Sequence, residues 1–144
     1  MPLEISQVRR RVQQRLAELR RVAAARRERT IQAERDYEPF RAMVALPVFN
    51  AVAQSLAAEG HPYRVLTPGG SLRLVSDRST RTYVEIRLDT SGPSPVVVVE
   101  TSRERGHRVI ADERAFCAGE RMTALTEEDV LAVLIEALGD LIER

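Results

Sequence analysis

Apolar residues recur with a helical period at both ends of the chain and with a strand period in its middle. Taking Ile5 as the centre of a helical face, Val8, Val12, Leu16, Leu19 and Ala23 fall within about a quarter turn of it, as a 3.6-residue repeat requires. The stripe ends near Ala25, where Arg26, Arg27, Thr30 and Glu34 take over the same face. Residues 4–25 therefore form an amphipathic helix that needs a partner surface, and residues 26–35 a charged connector. Asp36 suits an N-cap and Pro39 the first turn of a second helix over residues 37–59, with Gly60 beyond its end. Phe40, Val44, Val48, Val52 and Leu56, spaced by four, give that helix one buried stripe, widened by Met43, Phe49 and Ala53. Pro47 lies inside it and predicts a kink.

From His61 the period changes to two. Strands are predicted over 62–67, 71–76, 81–89, 95–101 and 107–112, joined by turns such as Pro68-Gly69-Gly70 and Thr90-Ser91-Gly92-Pro93. In the third, Thr82, Val84, Ile86 and Leu88 alternate with Arg81, Tyr83, Glu85 and Arg87, the pattern of a sheet with one wet face. Val96 to Val99 are apolar on both faces, which suits a central or doubly covered strand. Residues 113–125 read as irregular. Thr126, followed by Glu127, Glu128 and Asp129, opens a last helix with a capping-box pattern and an unusually wide apolar face, Val130, Leu131, Leu134, Ile135, Leu138, Leu141 and Ile142. The sum is an α+β fold: a long N-terminal helix, a second helix kinked near Pro47, a five-stranded antiparallel meander and a C-terminal helix packed on the sheet. Residues 1–36 project as a basic helix and connector. Residues 37–144 form the compact domain, too small to cover a helix of such length.

Charge sharpens that division. Residues 1–36 hold ten Arg against five acids, a net of +5; residues 37–144 hold twelve Arg against sixteen acids, a net of −4. Every basic residue other than the two His is Arg, whose planar fork suits carboxylate and phosphate. Arg9, Arg10, Arg20, Arg26 and Arg27 have no acid three or four residues away, and Arg11 faces Arg15. With Arg21, these arginines form a candidate anion-binding set for an acidic protein partner or nucleic-acid phosphate. No aromatic residue is interleaved for base stacking, and the stripe lacks the Trp or Phe of a membrane-surface helix. No run of about eighteen apolar residues suggests a membrane span.

The single Cys117 excludes an internal disulfide and fits a reducing, cytoplasmic and bacterial setting. Its only nucleophilic pairing would be with His107 or His61, and nothing in the spacing brings them together. Two His and one Cys without ligand spacing give no metal site, and Gly69-Gly70 lacks the lysine and following helix of a phosphate loop. No cofactor is implied. On the wet sheet face, Arg73, Tyr83, Glu85 and Arg87 form the best candidate polar surface, although a cross-strand charge ladder is the more economical account of them. The sequence thus reads as a non-enzymatic module that self-associates, as a homodimer or higher homo-oligomer, through Ile5, Val8, Val12, Leu16, Leu19 and Val22. A nucleic-acid-associated protein with an arginine arm is the alternative.

Overall fold

The computed structural model describes residues 2–142. Helix α1 (Ile5–Pro39) runs without interruption into a π-helical turn (Phe40–Ala45) and then into α2 (Leu46–Ala58). Five strands follow: β1 (Tyr63–Leu66), β2 (Leu72–Ser76), β3 (Tyr83–Asp89), β4 (Val96–Arg105) and β5 (Arg108–Ala118). A 3₁₀ stretch, Gly119–Ala124, leads to α3 (Glu127–Leu141). The strands pair antiparallel in chain order, so the fold is the α+β meander that the periodicities predict.

The π turn marks where the two helices meet. Pro47 has no N–H to donate, and its ring would crowd the carbonyl four residues back in a tight α turn. Directly before it the ladder widens: the Leu46 N–H bonds to the Arg41 carbonyl, five residues back. Asp36, in contrast, starts no new helix. Its Oδ1 accepts from Gln32 Nε2 at 3.0 Å, one turn back along α1. Ala33, Tyr37 and Phe40 are all buried, so packing holds the chain helical through a residue whose local preference is to cap. The whole helix, Ile5–Ala58, spans 54 residues, about 80 Å. By length and composition it is able to cross a membrane. Its uncharged part, residues 42–58, is the part that carries Val48, Phe49, Val52 and Leu56 into the core.

One sheet face is apolar by register. Leu74 lies beside Val84, Leu72 beside Ile86, Ile86 beside Val99 and Leu88 beside Val97. These residues form one core with Val48, Phe49, Val52 and Leu56 of α2 and Val130, Leu134, Ala137 and Leu141 of α3. Helix α2 covers β1 and β2, α3 covers β3 and β4, and the two helices touch each other, all on the same face. Thr126 caps α3 as predicted: its Oγ1 accepts from the Asp129 N–H, and the Asp129 carboxylate accepts from the Thr126 N–H. Strand β5 runs six residues further than the alternation suggests. A bulge opposite Val97 and Val98 leaves Phe116 between Cys117 and Ala115, which shifts the side-chain phase and hides the strand pattern.

Candidate interaction surface

The body grips α1 only through its second half. Ala33 and Tyr37 are the buried residues of that helix, and the Tyr37 hydroxyl donates to the carbonyls of Gly70, at 3.1 Å, and Ile86. Burial there pushes the phenol up to about 12. Further toward the N-terminus, the Arg26 guanidinium donates to the carbonyls of Gly92, at 2.9 Å, and Ser91, at 3.3 Å. Arg29 reaches that of Pro93. The β3–β4 turn is held in place for this by Asp89, whose carboxylate accepts from both the N–H and the hydroxyl of Ser91; those two bonds lower its pKa. Arg26, a member of the candidate anion-binding set, is therefore occupied by the protein's own backbone.

Beyond that clamp α1 overhangs the body. Residues 2–22 are exposed without exception, and Ala23 is the first that is partly covered. The overhang from Ile5 to Ala24 is about 30 Å long. Its apolar stripe, Ile5, Val8, Val12, Leu16, Leu19 and Val22, has no partner among the described residues, each being between 44% and 79% exposed. At 100° per residue the centre of this stripe lies within about 50° of the face that Arg26, Ala33 and Tyr37 turn to the body. It is therefore the same helix face, continued past the edge of the domain.

Arginines flank the stripe on both sides. Arg15 pairs with Glu18 at 3.2 Å, in the open. Among the described residues Arg9, Arg10, Arg11, Arg20, Arg21 and Arg27 form neither an ion pair nor a hydrogen bond. The sequence-predicted stripe and these arginines, Arg27 apart, are thus brought together on one exposed rod about 30 Å long.

The polar sheet face is arranged differently. Glu85, only 6% exposed, accepts from the Ser71 hydroxyl and from Arg73 at 3.1 Å. The Arg73 guanidinium lies 4.0 Å above the Tyr83 ring. Tyr83 donates to Glu100, and Arg87 bridges Glu100 and Glu113 at 3.3 and 2.6 Å. Desolvation and the Glu100 hydrogen bond both raise the Tyr83 pKa. Arg73, Tyr83, Glu85 and Arg87 therefore form a closed charge ladder across β2 to β5, with most of its groups paired internally. Glu100 and Glu113 complete it, on strands where no lone residue signals their part.

Cys117 sits on β5, ten residues from His107, about 30 Å along an extended strand. His61 precedes β1, on the opposite edge of the sheet, four strand spacings of about 4.8 Å away. Desolvation raises the thiol pKa, which disfavours the nucleophilic thiolate. Among the described residues no three His, Cys, Asp or Glu side chains cluster as metal ligands do. Compared with known protein families, curated proteins and solved structures, the chain matches none.

Proposed function

We propose that the protein is a non-enzymatic interaction module that self-associates through the overhang of α1. The observation that carries this reading is the row of six large apolar side chains, Ile5 to Val22, exposed on the helix face that is buried at Ala33 and Tyr37, where it packs on the body. A contiguous apolar strip of this length on a soluble surface marks an interface. The arginines beside it suit a polar rim that orients the partner.

Sedimentation velocity at micromolar concentration tests it. The full chain sediments as a dimer or larger assembly, and L16D/L19D sediments as a monomer whose body keeps its amide-exchange protection over residues 44–56. A wild-type monomer over the whole accessible concentration range would defeat the reading.

A second reading follows from the six arginines of the overhang and clamp that lack an internal partner, which supply a phosphate-tracking arm. Retention on immobilised DNA should then fall steeply with salt and disappear when Arg9, Arg10, Arg11, Arg20 and Arg21 are replaced by Ser. Phosphate contact alone leaves the apolar stripe bare, so self-association accounts for more of the surface.

A further inference from the structure

We infer that the surface that receives the α1 overhang is the outer face of α3 on a second copy of the chain. This rests on the self-association reading and adds to it the identity of the partner surface. The argument begins with what two overhangs do to each other. Between Glu4 and Ala25 there are six Arg and two Glu. Arg9 and Arg20 border the stripe on one side, Arg11 and Arg15 on the other, so two such helices laid together align arginine rows along the seam. Like charges facing each other across an interface oppose pairing.

The body carries a helix of opposite character. Within α3 stand Glu127, Glu128, Asp129, Glu136 and Asp140, with no basic residue. Among the described residues only Glu136 has a cation, Arg114 at 3.1 Å, and that pair is exposed. Among the described residues Glu127, Glu128 and Asp140 pair with none. The outward side of α3 is not simply acidic. Ile135 is 57% exposed at its middle, and Leu131, Leu138 and Ile142 continue the strip toward the core, which they only partly enter. Exposed Ala132 and Gly139 flank Ile135 one turn either way, and nothing approaches within 4 Å of where a Gly139 Cβ would stand. That is room for a helix to lie close. At 100° per residue Glu128 stands beside Ile135 and Glu136 lies beyond Ala132 and Gly139, so an apolar strip bordered by arginines meets one whose outer side carries carboxylates.

The two surfaces lie on different parts of one chain, so a two-fold dimer uses each twice, overhang on α3 and α3 under overhang. Carboxylates across the seam then neutralise the arginines that have no partner among the described residues.

Charge exchange decides it, read by sedimentation velocity on full-length chains with circular dichroism as the folding control. One variant reverses the overhang (R9E/R11E/R20E). A second reverses the outer side of α3 (E128R/E136R), at exposed positions whose one ion pair is worth little. Each alone should dimerise at least about tenfold more weakly than the wild type. Mixed one to one they should form a heterodimer, because both contacts are again of opposite sign, and a chain carrying both reversals should recover the homodimer. If the α3-reversed chain dimerises as tightly as the wild type, this inference is wrong while self-association stands. If the wild type is monomeric, both fall.

Discussion

Tyr37 shows how a single side chain fixes the long helix on the sheet. Its ring lies in the core, and its hydroxyl ties two carbonyls, one in the β1–β2 turn and one in β3. Desolvation raises its pKa from 10.0 to about 12. A raised folded-state pKa means that the neutral phenol is the form the fold prefers. The stabilisation is complete below pH 10 and is lost as pH rises from 10 toward 12, while the unfolded chain ionises first. Titrating phenolate absorbance should show one tyrosine ionising well above the ordinary phenol value of 10.0, and denaturation at rising pH should show stability declining over that window. Tyr37→Phe should cost about 1 kcal/mol at neutral pH. It should also flatten the alkaline decline; a decline of unchanged steepness would place its cause elsewhere. Tyr37 was legible in the sequence only as the first residue past a cap, because its partners are backbone carbonyls 33 and 49 residues away.

At the scale of elements, what the sequence reveals is what local periodicity controls. Val84 and Ile86 face the core and Glu85 and Arg87 do not, as their alternation requires, and Thr126 caps α3 through the side chains that its spacing offers. The misplaced helix boundary has the opposite cause. Asp36 is a good cap in isolation, but it lies between Ala33, Tyr37 and Phe40, whose burial is decided by distant strands. The clamp of Arg26 on the β3–β4 turn is equally invisible, since it joins residues 65 and 66 positions apart through carbonyls that every residue has. Close approach at this docking site is set by Gly119. A Cβ there would stand 3.1 Å from both Cβ and the carbonyl oxygen of Pro95, and 3.4 Å from Cβ of Ala33 on α1. Pro95 is further pinned because its carbonyl accepts from the Gly119 N–H at 2.9 Å. Gly119→Ala should therefore push α1 away from the turn and destabilise the fold by roughly 1–3 kcal/mol. Urea denaturation measures this. A variant as stable as the wild type would show that α1 has slack at this contact.

At the scale of the whole molecule, one helix serves two environments. From Ala33 onward it is held by the core; from Ile5 to Val22 it stands in solvent. The anchored half supplies the nucleus, so the overhang needs only to propagate, which removes the main cost of a free helix. Propagation is nevertheless weak here. Arg9, Arg10 and Arg11 lie near the positive end of the helix dipole, Arg11 and Arg15 repel one turn apart, and the Gln7 side chain meets the Glu4 N–H of the N-terminal capping box only at 3.4 Å. The overhang should thus fray in the monomer and be firm only when its stripe is covered. Amide hydrogen exchange separates these states. Residues 5–22 should exchange at least about tenfold faster as the protein is diluted below its association midpoint, while residues 44–56 keep their protection at every concentration. Slow exchange of the overhang regardless of dilution would mean that the helix sustains itself without a partner. Fast exchange at all concentrations would mean that nothing covers the stripe, and the arginines would then be its principal feature.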